Sequence, residues 1–303
     1  MSTKRGTVTE RDVKNFISFA KRNPILAAIL VIAVIGLFVW QGISDKNNGV
    51  VPSTDGLTVS YIDIGQGDAE LIACGGEYML IDGGDVSMGD ELCEYLTGRG
   101  VNKIDYMVCT HGHADHCGGL DEVLKAFPVE TVFTSPYPGD NKVYQIFADA
   151  VEKAGLSAEV PEMGVHYRLG DAEFEFIGPL EDYGDRNADS LVMRLEYGKT
   201  SFLFTGDMTS KAEKDLIESG ADVSCDVLKV GHHGSSGSSC YQFLYEASPR
   251  IAVISCETGN SYGHPHEETL SRLADADAEI LRTDTMGTVT VFSDGVSVVR
   301  QAA

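Results

Sequence analysis

The stretch IDYMVC (104–109) running into THGHADHCGG (110–119) decides how the rest of the chain is read. Six residues of strand character end in His111, His113, Asp115 and His116, so that three of the eight histidines and a carboxylate fall within six positions. On a strand these side chains would alternate between two faces, whereas on a turn at the strand's end they converge. Gly112, Gly118 and Gly119 give the backbone freedom to fold closely around an ion. Neutral imidazole and carboxylate together suit zinc and other first-row divalent metals. The stretch is a metal site.

Upstream, residues 1–23 are polar and basic, followed by Pro24 and sixteen uninterrupted apolar residues to Trp40. With its flanks this run reaches about twenty residues, one crossing of a bilayer core. It is longer than the usual core of a cleaved leader and lacks a small-residue cleavage site, so residues 24–43 are expected to be a retained anchor. The basic flank places residues 1–23 in the cytoplasm and everything beyond residue 44 outside the cell, on a single-pass membrane protein. Residues 44–56 read as a linker, and a folded domain is expected over 57–300. Residues 1–46 carry seven Lys/Arg against three Asp/Glu, so the remainder carries 16 against 43, a net of −27. Such a surface lacks the basic footprint of a general nucleic-acid binder.

The folded part alternates strand and helix patterns. Apolar runs at 59–64, 69–73 and 78–81 form a meander around glycine turns, and helices are expected at 89–99, 120–127, 143–154 and 267–274. Further strands fall at 129–134, in a hairpin of 191–197 and 201–205, before the pair His232-His233, from Ile251, and within 278–299. Strands interleaved with helices imply an α/β domain with helices covering the sheet. From extended backbone, His232 and His233 would point in opposite directions. All seven cysteines (74, 93, 109, 117, 225, 240, 256) lie in the domain placed outside. Their odd number prevents complete pairing, and several sit in apolar strands as packed thiols, Cys117 among them.

The H-x-H-x-D-H spacing resembles the signature of the metallo-β-lactamase superfamily. That resemblance implies a four-layer αββα sandwich holding two divalent ions, zinc or manganese. It implies metal ligands at His111, His113, Asp115, His116 and at Asp207, which would bridge both ions from the end of FLFTGD (202–207). One of His232 and His233 completes the second ion's shell, with His233 preferred. Where most members carry another histidine, this chain offers Asn187, leaving Asn187 or water on the first ion and favouring a harder metal. Asp82 in LIDGG (80–84), and Asp63, are expected to support the ligand histidines from behind.

Seven segments together are similar to the narrower branch of ComEC-type competence (DNA-uptake) proteins and their stand-alone relatives. They are IDIGQGDAELI (62–72), LIDGG, THGHADHCGG, NADSLVMRL (187–195), FLFTGD, LKVGHHGSS (228–236) and SYGHPH (261–266). The resemblance implies metal-dependent phosphodiester hydrolysis, with nuclease action on DNA the expected case, at the cell surface, with Asp115 helping to activate water and His264 or the non-ligand histidine, His232, donating a proton. Ser235, Ser236, Asn260, Tyr262 and His266 are the candidate substrate contacts. The alternatives are a phosphorylcholine-esterase-like hydrolase of cell-envelope polymers, or a surface binding protein without catalysis. β-Lactam hydrolysis is disfavoured, and no obligate protein partner is indicated.

Overall fold

Alternation within single strands explains how the domain is layered. In the strand Ile104–Cys109, Met107 and Cys109 pack toward helices while Val108 and Tyr106 face a second sheet. In Thr200–Phe204, Phe202 and Phe204 face the first sheet and Leu203 faces helices on the other side. A strand covered on both faces in this way belongs in the middle of a helix–sheet–sheet–helix stack. A computed structural model describes residues 56–301. The anchor and tail expected before residue 44, and nearly all of the linker, lie outside those residues. Among the described residues no helix is long and apolar enough to cross a membrane.

The chain first lays down β1 (Leu57–Tyr61), β2 (Glu70–Cys74) and β3 (Glu77–Ile81) as an antiparallel meander. Helix α1 (Gly89–Gly98) then crosses over to β4 (Ile104–Cys109), which pairs parallel with β3. The short α2 (Ala114–Cys117) and α3 (Leu120–Ala126) lead to β5 (Val129–Thr134), and α4 (Lys142–Lys153) leads to β6 (Ala158–Glu159), both parallel additions. Asn141 caps α4 by accepting from the N–H groups of Val143 and Tyr144.

The second sheet repeats the plan. Strands β7 (His166–Leu169), β8 (Ala172–Gly178), β9 (Val192–Tyr197) and β10 (Thr200–Phe204) are antiparallel. Helix α5 (Ser210–Glu218) then leads to β11 (Val227–Lys229), α6 (Tyr241–Ala247) to β12 (Ile251–Ile254), and α7 (Glu267–Asp275) to β13 (Glu279–Arg282), all parallel. After α8 (Thr283–Met286), β14 (Val289–Ser293) and β15 (Val298–Arg300) return to the first sheet beside β1. The result is an eight-stranded and a seven-stranded mixed sheet, face to face. The parallel halves direct their C-terminal ends to one edge, where ligands collect in open α/β sheets.

The sequence pattern leaves β7–β8, α5 and α6 unassigned. Helix α5 buries only Ala212, Glu213 and Leu216, and α6 is seven residues long, so neither shows a strong apolar period. The run 59–64 also ends earlier than its hydrophobicity suggests, because the chain leaves the sheet after Tyr61 and turns at Gly65 and Gly67.

Between the sheets Phe174 is buried against Tyr106, Tyr167 and Phe176. Phe174→Ala should lower the unfolding free energy by about 3–5 kcal/mol, measured by urea denaturation. A loss below about 1 kcal/mol would mean the two sheets do not share this core.

Candidate metal centre

Several chain segments meet at that edge. The turn after β3 brings Asp82, the turn after β4 brings His111 to His116, and the turn after β10 brings Asp207. The turn after β11 brings His232 and His233, and the loop after β12 brings Tyr262 and His264.

Asp207 is buried and divides its two oxygens. Its Oδ2 lies 3.9 Å from His111 Nε2 and 3.7 Å from His232 Nε2, while Oδ1 lies 3.3 Å from His116 Nε2 and 3.6 Å from His233 Nε2. The structure thus draws the candidate ligands into two groups sharing one carboxylate. His111, His113 and Asp207 form the first, and Asp115, His116 and His233 form the second, with ligand atoms in each group within 4.8 Å of one another. Within them His111 Nε2 is 3.0 Å from His113 Nδ1, and His233 Nε2 is 3.4 Å from Asp115 Oδ2.

Whether these residues suit divalent ions is answered by the atoms they leave unpaired. His116 Nε2, His233 Nε2 and Asp207 Oδ1 are buried without a hydrogen-bond partner, and all three face one point. The opposite nitrogen of each buried ring is fixed. His116 Nδ1 is 2.7 Å from Asp82 Oδ2, His233 Nδ1 is 3.1 Å from the Ser255 carbonyl, and His111 Nδ1 is 3.1 Å from Thr110 Oγ1 and 3.3 Å from Ser190 Oγ. A ring that donates through one nitrogen presents a lone pair at the other, the arrangement of a metal-binding histidine. Burial alone would lower the basicity of His116, yet Asp207 and Asp82 together raise its pKa well above the usual imidazole range. The pocket holds surplus negative charge, which a cation neutralises. The donor set fits two divalent ions.

Asp82 occupies the supporting place read from the sequence. It sits in the left-handed region at φ 55°, and its Oδ1 and Oδ2 accept from the N–H and Oγ1 of Thr110 at 2.8 and 2.6 Å. Asp63 does not reach this set. It is exposed, its N–H bonds Thr288 Oγ1, and its carboxylate faces the Gly65 N–H. The carboxylate that this loop contributes is Asp68, which sequence reasoning passed over. Asp68 is buried, 3.2 Å from His233 Nδ1, and its Oδ2 accepts from Lys229 Nζ at 2.7 Å. Burial alone would raise the Asp68 pKa, but the Lys229 ammonium together with His233 and His116 outweighs it and lowers it to about 2. The available signal was the charged Lys229 inside the apolar strand 227–230, since a buried lysine requires a carboxylate.

His232 and His233 both face the cavity, against the expectation of opposed directions. Their backbone is not extended. Each has φ 53°, on a 3-10 turn over Gly231–Gly234. Consecutive left-handed residues are strained by about 1–3 kcal/mol each, held here by His232 N–H to Gly206 O and Ser235 N–H to His232 O. Asn187 lies where its Nδ2 is 3.4 Å from His232 Nε2, and its Oδ1 is buried without a partner.

The remaining candidates separate. Tyr262 and His264 line the cavity of about 280 Å³ with Gln66, Asp115, Asp207 and His232, and their rings stack at 5.5 Å. Burial, with His233, His232 and His266 nearby, lowers the His264 pKa to about 4, so its ring is neutral at pH 7. Asn260, Ser235, Ser236 and His266 are not part of the lining. Asn260 donates to the Glu257 and His264 carbonyls and accepts from the Tyr262 and His264 N–H groups, which pins the loop. The Ser236 N–H donates to His266 Nδ1, and the carbonyls of Ser235 and Ser236 accept from Thr269 and Arg272. The serine run is therefore held internally. It is anchored further by Glu213, which accepts from the N–H groups of Ser239 and Cys240. Cys117 is buried among apolar side chains, and all seven cysteines are unpaired.

Residues 62–258 match the family model described as the metallo-beta-lactamase superfamily. Among curated proteins the chain is similar to ComE operon protein 3 of Bacillus subtilis, 32% identical over 255 residues, or 76% of this chain and 32% of that protein. It is also similar to competence protein ComA of Neisseria gonorrhoeae, 30% identical over 273 residues, or 87% of this chain and 37% of that one. The chain thus spans about a third of the length of these curated relatives. In fold it is similar to CmlA, a diiron β-hydroxylase from Streptomyces venezuelae, with a TM-score of 0.53 at 14% identity over 82% of this chain and 55% of that one.

Asp82→Asn should weaken binding of the second divalent ion by about 10–100-fold, read by titration calorimetry with Mn²⁺. Unchanged affinity would show that His116 is held without it. Glu213 gives a separate test. Burial pushes its carboxyl up to about 7, against 4.5 when exposed. Between those values the folded chain binds a proton that the unfolded chain has released, so stability falls as pH rises from 4.5 to 7 and is level beyond. The fall should be about 3 kcal/mol by urea denaturation, and Glu213→Gln should lack it. An identical slope in the variant would assign the titration elsewhere.

Proposed function

The chain belongs to the metallo-β-lactamase superfamily, and we propose that it is a membrane-anchored, extracytoplasmic hydrolase that uses two divalent ions to cleave phosphodiesters, DNA or related chains among them. One observation carries the reading: Asp207 presents one oxygen to each of two imidazole groups in a single cavity. Two adjacent cations suit a reaction that places charge on both the attacking and the leaving oxygen of a phosphoryl group. Similarity to a competence protein supports a DNA-like substrate. The apolar run 25–40 supports anchoring.

His111, His113 and Asp207 would hold the first ion, with Asn187 at its margin, and Asp115, His116, His233 and Asp207 the second. An amide oxygen in place of an imidazole favours the harder ion, so manganese suits the first position better than zinc. Bound there, divalent ions acidify a water and offset charge on the phosphoryl oxygens. Asp82 and Asp68 keep His116 and His233 in the ligand tautomer. His264, whose pKa burial lowers to about 4, is the better suited of the two donor candidates to orient the reacting group by a hydrogen bond. His232, half-exposed beside Asp207 Oδ2, is placed to protonate the leaving oxygen.

A second reading is favoured by the neighbouring cavity of about 330 Å³, which shares Gln66, Ala114, Asp115 and Tyr262 with the first and adds Asp85 and Glu257. Carboxylates there suit a diester carrying a cationic group, as a phosphorylcholine-esterase-like hydrolase requires.

The full chain in detergent with Mn²⁺ or Zn²⁺ should hydrolyse bis-p-nitrophenyl phosphate and single-stranded DNA but not a chromogenic β-lactam. Chelation should remove activity while circular dichroism is retained, and Asp207→Asn should abolish turnover and reduce bound metal. Two bound ions without diester turnover would sink the proposal. Cleavage of the small diester without DNA cleavage would favour the second reading.

A further inference from the structure

The acidic balance of the domain leaves open what attracts a phosphate to the cavity, and among the described residues one unpaired cation directly neighbours a residue that lines it. Lys103, Lys125, Arg168, Arg194, Lys229 and Arg282 each lie within 4.0 Å of a carboxylate. Arg186 differs: among the described residues its guanidinium enters no ion pair or hydrogen bond. The carboxylates of its own loop are turned to the backbone instead. Asp182 accepts from the Gly184 N–H at 2.9 Å, Asp185 from the Asn187 N–H at 3.0 Å, and Asp189 from the Tyr183 N–H at 2.8 Å.

Arg186 also packs against a neighbouring loop. Its side chain lies flat over Gly139, where a Cβ would stand 3.0 Å from its Cδ and 3.3 Å from its Cζ and closer still to Nε. At φ +83° that glycine tolerates no ordinary side chain. The Gly139 loop is in turn tied to the metal loop. Asn141 Nδ2 donates to the Gly112 carbonyl, and Pro138 O packs where a Gly112 side chain would be. Arg186 therefore packs on the loop that is bonded to the metal loop between His111 and His113. The next residue, Asn187, lines the cavity.

We propose that Arg186 is the anion-recognising residue of this site, closing its planar fork on the phosphoryl oxygens of the substrate at the first-ion edge of the cavity. An arginine fork matches two phosphate oxygens at once, which a lysine cannot do. A local cation of this kind lets an acidic domain bind a phosphodiester without a basic surface, and it selects against an uncharged ester at the same edge. The proposal rests on the phosphodiester reading given above, and the test separates the two.

The full chain loaded with Mn²⁺ is compared as wild type, Arg186→Ala and Arg186→Lys. The readouts are metal content, KM and kcat on bis-p-nitrophenyl phosphate, and the affinity for inorganic phosphate by calorimetry. Arg186→Ala should keep both ions, raise KM and weaken phosphate binding by about tenfold to a hundredfold, and change kcat by less than about threefold. Arg186→Lys should recover only part of the loss. Equal phosphate affinity in wild type and Arg186→Ala, or no phosphate binding by the wild type, overturns the proposal. A wild type that binds phosphate through Arg186 but turns over no diester upholds the contact and overturns the reaction.

Discussion

The constraint on which the domain depends is the burial of three carboxylates, Asp68, Asp82 and Asp207, within one cluster of histidines. Charges removed from water cost several kcal/mol each unless they are paired and hydrogen-bonded. Lys229, itself buried, offsets one of them through Asp68. Glu70, two residues further along the chain, is buried as well, and burial and the Asp68 charge push its pKa well above the usual carboxylate range. Asp82 is satisfied by Thr110 and His116. What remains is concentrated on Asp207 and the exposed edge of Asp115, at the two positions where imidazole nitrogens lack partners. The arrangement suits a cation site.

The sheets make this concentration possible. Each begins as an antiparallel meander and ends as parallel strands joined by helices, so that the turns after β3, β4, β10, β11 and β12 open at one edge. Side chains from turns of two different sheets can then approach one point without sharing a strand. The Gly65–Gly67 turn inserts a further segment beneath the metal loop, with the Asp68 N–H donating to the Asp115 carbonyl and the Gly84 N–H to the Asp68 carbonyl. That interlock ties the position of Asp115 to the position of Asp68, and through it to His233.

Charge distribution separates the centre from its surroundings. The outer surface is acidic, as is the cavity wall formed by Asp85 and Glu257, while the unpaired Arg186 neighbours Asn187 on the cavity wall. Long-range steering of a polyanion is weak on such a surface, and recognition falls to contacts made within a few ångströms.

The sequence by itself determined the metal loop, the alternation of strands and helices, and the chemical identity of most of the cluster, because H-x-H-x-D-H and a carboxylate ending β10 are local patterns. The resemblance to the superfamily also pointed to Asp82 as a support, at the end of an apolar strand. Tertiary structure alone decided which side chains arrive. His232 and His233 both face inward because long-range contacts hold two residues in the left-handed region, a conformation that no hydrophobic period reveals. Asn260, Ser235 and Ser236 look like ligand contacts in the sequence but spend their polar groups on their own loops. Asp68, in a glycine-rich turn, becomes a partner of His233 only when β11 places Lys229 against it, 161 positions away. Spacing encodes what one loop can do, whereas convergence of loops from two sheets is set by packing between them.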